Sequence, residues 1–180
     1  MAFLATDGVE QVELDRPWRA VRDAGASPEL VALAGGEIQA FNHLDRAEKR
    51  SVDAIVAGVR ADDYDALVLP GGVANGDAVR GDADAVAFVR GFFTAGKPVA
   101  VICHGAWVLA EADVLRGRTI TSWPSLRTDL RNAGAHWVDR EVVTDQGLVS
   151  SRKPADLDAF CAKLVEEIAE GEHTGQRRSA

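Results

Sequence analysis

Cysteine is scarce in this chain, two among 180 residues, and neither of the two has the neighbours that would make it a staple. A disulfide framework of the kind that holds small secreted domains together is therefore excluded, and a reducing compartment is expected. Metal ligands are equally thin. The four histidines, at 43, 104, 136 and 173, have no companion at ligand spacing and no Cys-x-x-Cys occurs, so neither a metal nor any other cofactor is expected. Positive charge is short as well: 20 Lys and Arg stand against 28 Asp and Glu, a formal net charge of −8. That balance opposes phosphate, and with no basic stripe interleaved with aromatics, nucleic acid is not an expected partner. No apolar run approaches the roughly 20 residues that span a bilayer, and no charged segment leads into an apolar leader, which points to a cytoplasmic protein without a membrane partner.

What is present is 47% hydrophobic residues in short aliphatic runs, enough for one domain with a sizeable core. Strands are expected at Phe3 to Ala5, Leu30 to Leu33, Asp65 to Leu69, Val99 to Ile102 and Arg118 to Thr121. A hairpin is expected from Trp137 to Val143 and Leu148 to Ser151, turning at Asp145 Gln146 Gly147. Between them lie helices: one around Trp18 that starts near Asp15 because Pro17 suits a first turn, and one capped by Asp82 and ended by Gly96. Two more run from Leu126 to Ala133 and from Asp156 to Glu170. Gly35 and Gly36 open a β-rich insert through Val56. Strands alternating with helices imply an α/β fold, a doubly wound and mostly parallel sheet between helical layers. The domain is expected over 1–170, with 171–180 a polar, frayed tail.

Ligands of such sheets gather beyond the carboxyl ends of the strands, and three turns converge there: the one after Ala5, Gly71 Gly72 after Leu69, and Cys103 after Ile102. Cys103 stands where a buried strand stops on a Cys-His-Gly turn and a helix begins. At a helix N-terminus the unpaired N–H groups and the dipole favour a thiolate, which lowers the thiol toward neutrality and makes Cys103 a nucleophile. Acyl transfer also needs a base and N–H donors for the oxyanion; His104 is the nearest base, and Gly71, Gly72 and the His104 backbone are the candidate donors. A neutral carboxylic acid beside the sulfur would favour the thiolate, whereas an ionised one would oppose it. Glu10 and Glu13 both follow the first strand, and the residues alone do not choose between them. Cys161, on an apolar helical stripe with Leu157, Phe160 and Leu164, is expected to be core.

Cys103 His104 Gly105 after Gly96 Lys97 Pro98 Val99, Leu69 Pro70 Gly71 Gly72, Asp7 Gly8 Val9 Glu10, and Thr121 Ser122 Trp123 Pro124 occur in an order that resembles the PfpI family. These are intracellular cysteine proteases or amidases of the glutamine amidotransferase-like superfamily, related to the Parkinson's-associated deglycase and to bacterial stress proteins. The resemblance implies a flavodoxin-like three-layer α/β/α fold and a cysteine hydrolase acting on peptides, amides or glyoxal-type adducts of proteins. A stress protein whose Cys103 is reversibly oxidised is the alternative it leaves. It further implies that Cys103 is the nucleophile, that Glu10 is the carboxyl at its sulfur, and that His104 is the triad histidine. The third member would be an acid from a neighbouring subunit, matched here by Asp77 in the segment Val73 Ala74 Asn75 Gly76 Asp77. Such a composite site implies a homo-oligomer, a dimer or a hexamer. Gly76 replaces an expected proline, and that loop is expected to be mobile.

Overall fold

The aliphatic runs of the sequence become the buried strands of one sheet. In the computed structural model, which describes residues 1–179, β1 (Ala2–Leu4) and β2 (Val9–Glu10) lead into α1 (Gln11–Asp23). Then come β3 (Glu29–Ala32), the hairpin of β4 (Glu37–Asn42) and β5 (Asp45–Ser51), and β6 (Ala54–Ile55). The middle of the chain holds β7 (Leu67–Leu69), α2 (Val73–Arg80), α3 (Ala83–Ala95), β8 (Val99–Ile102) and α4 (Trp107–Glu111). β9 (Thr119–Ile120), α5 (Arg127–Asn132), β10 (His136–Trp137), β11 (Val142–Asp145), β12 (Leu148–Ser151) and α6 (Leu157–Glu170) follow.

The main sheet runs β11-β12-β8-β7-β1-β3-β6, parallel throughout except for the β11–β12 hairpin. Side chains alternate across a strand, so each core strand feeds two layers. Leu4, Leu67, Leu69, Val99 and Val101 join Phe88, Val89, Phe92 and Phe93 of α3 and Leu109 of α4 on one face. Phe3, Val68, Ala100 and Ile102 join Leu14 and Val21 of α1 and Phe160 and Leu164 of α6 on the other. The result is the expected doubly wound three-layer sandwich. The chain leaves β1 toward β3 on one side and reaches β7, β8 and β12 on the other, which places a switch point between β1 and β7. No helix among the described residues is long and apolar enough to cross a membrane.

Several local expectations are realised. Asp82 accepts a 2.8 Å hydrogen bond from the Ala85 N–H at the start of α3, and Gly96 ends that helix at φ +75°. Gln146 and Gly147, at φ +50° and +88°, make the two-residue turn between β11 and β12.

Others are corrected by packing. Helix α1 begins at Gln11, not near Asp15, and Pro17 lies inside it. Leu14, Pro17 and Val21 share one buried stripe, and that burial outweighs the roughly 3 kcal/mol an internal proline costs. Trp137 belongs to β10, which pairs in parallel with β9 in a separate two-stranded sheet, so the hairpin begins only at Val142. Residues 73–77 form the first turns of α2 instead of a mobile loop: a Cβ on Gly76 would lie 2.6 Å from the His104 carbonyl, so the glycine is what lets helix and elbow close together. The segment after α6 also docks. The His173 N–H donates to the Gly96 carbonyl at 2.7 Å, and the buried Gln176 carbonyl accepts from the Arg118 guanidinium at 2.9 Å.

Candidate active site

Ile102 ends β8 in extended conformation, and Cys103 turns the chain at φ +60° into a 3-10 turn over 103–106 ahead of α4. An L residue in this left-handed region costs of order 1–3 kcal/mol and persists only where its surroundings fix it. Here Gly105 does so: a Cβ on it would lie 2.6 Å and 2.8 Å from the Leu69 and Pro70 carbonyl oxygens. The expected corner therefore exists, but the helix proper starts four residues later, and the environment of the sulfur is set by other groups. Burial first, and second the Glu13 carboxylate once it is ionised, push the Cys103 thiol up; the N–H groups of His104 and Gly72, which point at the sulfur, pull it down. The expected lowering toward neutrality is thus reversed in the resting site by desolvation.

Glu13, not Glu10, is the carboxyl at the sulfur. It projects from the first turn of α1, is fully buried, exchanges a hydrogen bond with Cys103, and accepts the Gly71 N–H at 3.0 Å through Oε2. Burial, reinforced by the neighbouring charge of Glu10, pushes its carboxyl up to about 8, so it is chiefly protonated at neutral pH. Glu10 turns outward instead. Its Oε2 accepts the His43 N–H at 3.0 Å and lies 3.9 Å from His43 Nδ1 at the tip of the β4–β5 hairpin. One turn of helix separates the two acids, and because α1 starts at Gln11, Glu13 is the one carried inward. Gly71 is corrected too: its N–H is committed to Glu13, which leaves Gly72 and His104 as the backbone donors at the sulfur. Its lack of a side chain matters more, since a Cβ there would lie 2.6 Å from Cys103 Cβ and 2.3 Å from Glu13 Oε2.

His104 does face its neighbour. Its Nδ1 lies 3.3 Å from Cys103 Sγ, because the positive φ at Cys103 folds two adjacent side chains toward each other. Burial holds the imidazole below its ordinary pKa, which favours the neutral, proton-accepting form. Its ring packs against Trp107 and Trp123, with centroids 5.2 Å and 5.8 Å away. No carboxylate among the described residues hydrogen-bonds to it. Asp77, exposed on α2, lines the same cleft without reaching the ring. The cleft, about 690 Å³, is walled by Phe41, Leu44, Trp107 and Trp123, with Cys103 and Glu13 at its floor. Cys161, half-buried on α6, does not line this cleft, and both cysteines are free.

The sequence matches the DJ-1/PfpI family over residues 1–167. The chain belongs to that family. It is 41% identical over 160 residues to a protein named putative cysteine protease YraA from Bacillus subtilis, covering 89% of this chain and 92% of that one. It is 42% identical to the protein named deglycase PH1704 from Pyrococcus horikoshii, covering 91% and 95%. A solved two-domain protein from Anabaena variabilis, with DJ-1/ThiJ/PfpI-like and ferritin-like domains, superposes with a TM-score of 0.88 at 30% identity; the match covers 93% of this chain and 47% of that one.

One residue of this DJ-1/PfpI site escaped the sequence reading. Asn75, 1% exposed, accepts the Thr6 N–H at 2.8 Å through Oδ1 and donates through Nδ2 to the Pro70 and Gly71 carbonyls at 3.1 Å and 3.0 Å. A single amide thereby ties the turn after β1 to the Gly-Gly turn after β7. Its polar identity inside an otherwise apolar and glycine-rich stretch was the only available signal.

Proposed function

We propose that this protein is a cysteine hydrolase acting on peptide or amide carbonyls, or on glyoxal-type adducts of proteins, in the setting of a cellular stress response. The observation that carries the reading is Cys103 Sγ held at a positive-φ corner 3.3 Å from a neutral imidazole and against a carboxyl pushed up to about 8. In the attack step His104 Nδ1 takes the thiol proton as the Sγ–carbon bond forms, which spares the buried sulfur from standing charged before substrate arrives. Neutral Glu13 places no charge against the sulfur, and the N–H groups of Gly72 and His104 are the nearest backbone donors to the developing oxyanion. For an amide, the C–N bond then breaks, the imidazolium protonates the leaving amine, and water hydrolyses the thioester. The names deglycase and putative cysteine protease among relatives support both substrate classes.

The same reading includes a cytoplasmic homo-oligomer, a dimer or hexamer, in which Asp77 of a neighbouring copy orients His104. What supports it is that His104 has no carboxylate partner among the described residues while Asp77 is exposed at the cleft. A screen across peptidase, amidase and deglycase assays, run beside Cys103→Ser, tests the activity. Turnover of peptide or of methylglyoxal-modified thiol is expected to fall to background in the variant; unchanged turnover overturns the proposal.

A further inference from the structure

At the end of α6, away from the cleft, Glu167, Glu170 and His173 bring one ligand atom each within 4.8 Å of one another. His173 Nε2 lies 3.1 Å from Glu167 Oε2 and 3.9 Å from Glu170 Oε2. Glu167 is 6% exposed, and neither its Oε2 nor His173 Nε2 completes a hydrogen bond despite their close approach. The two atoms stand within ion-pair distance but without hydrogen-bond geometry, so with a neutral imidazole both buried lone pairs are left for a cation to fill. The surrounding charge has the same sign: Glu166, Glu167 and Glu170 crowd the last turns of α6, the last turn has no basic residue, and the C-terminal end of the helix dipole is itself negative. Lys163 is engaged with Glu166, and Arg177 with Glu172.

We propose that Glu167, Glu170 and His173 form a zinc site that clamps the segment after α6 to the body of the protein. One imidazole with two carboxylates suits a borderline divalent ion, and a tetrahedral ion with bonds of ~2.0–2.2 Å places its ligand atoms about 3.3 Å apart. Glu167 and His173 already stand at that spacing, and Glu170, with a side chain 54% exposed, closes by changing rotamer. Water completes the fourth position. Glu170 and His173 lie beyond the 1–167 family match. His173 is also the residue that anchors that segment, through its N–H on Gly96 and its ring over Gly147, beside the start of β8. Zinc would therefore stabilise the folded state by mass action.

The test is zinc titration of the full chain by calorimetry, in a Cys103→Ser background so that the Cys103–His104 pair cannot contribute. A single site of micromolar affinity is expected, with Tm rising on zinc addition and no response to magnesium. His173→Ala and Glu170→Gln, each added to that background, are expected to weaken zinc at least tenfold; Glu170 is exposed, so its replacement leaves folding intact. Absence of saturable binding, or unchanged affinity in either variant, overturns the proposal.

Discussion

Glu13 is an acid whose proton is set by where a helix begins. Desolvation raises it to about 8 from an ordinary value of 4.5, so between those pH values the folded protein holds a proton that the unfolded chain has released. The stabilisation from that proton is complete below about 4.5 and is lost as pH rises through about 8. Thermal unfolding across this window should show Tm of the wild type falling with pH relative to Glu13→Gln, which has no proton to lose; parallel curves would contradict the assignment. In the same samples, iodoacetamide should alkylate Cys103 with a rate changed more than about tenfold in Glu13→Ala and less than threefold in Glu10→Gln. Equal effects would return Glu10 to the sulfur.

At the scale of elements, the corner depends on three close approaches that only glycine permits. Gly71 meets Cys103 and Glu13, Gly105 meets the carbonyls that end β7, and Gly76 seats the first turn of α2 on the His104 carbonyl. The last is the most informative to change because it touches no reacting atom. Gly76→Ala places a methyl 2.6 Å from a backbone oxygen, and the elbow has to shift to admit it. A loss of about 1–3 kcal/mol in chemical denaturation is expected, together with a fall in kcat larger than any rise in KM, since the displacement moves His104 relative to Sγ. Wild-type kinetics in this variant would show that α2 does not position the elbow. Neither effect was visible in the sequence, where residues 73–77 read as loop and Gly76 as looseness, because the partner that makes the glycine necessary is 28 positions away in the chain.

For the whole molecule, the proposed acid for His104 is Asp77 of a neighbouring copy. Mixed oligomers of Cys103→Ser and Asp77→Asn decide it: if Asp77 acts across subunits, mixing after reversible dissociation yields sites that pair an intact cysteine with an intact aspartate. Activity absent from both parents should then appear. No recovery, with exchange of subunits confirmed by mass photometry, would remove Asp77 from the site.

The sheet was legible in the chain, because short β-branched aliphatic runs bounded by glycine and proline read as buried strands, and their alternation with capped helices admits few other layouts. The sequence by itself also determined that Cys103, His104 and the Gly71–Gly72 turn meet at one edge, since parallel strands deliver all their carboxyl ends to the same side. Tertiary structure alone decided what the elbow does to them. The choice of Glu13 over Glu10 turns on where α1 starts, which Pro17 argued wrongly and the buried Leu14–Val21 stripe settled. The rise of the thiol and the carboxyl comes from desolvation, a property of what surrounds a side chain in space. The role of Asn75, and the docking of the polar segment through His173 and Gln176, are likewise long-range hydrogen bonds that no local pattern encodes. The cysteine corner was local; the proton beside it was not.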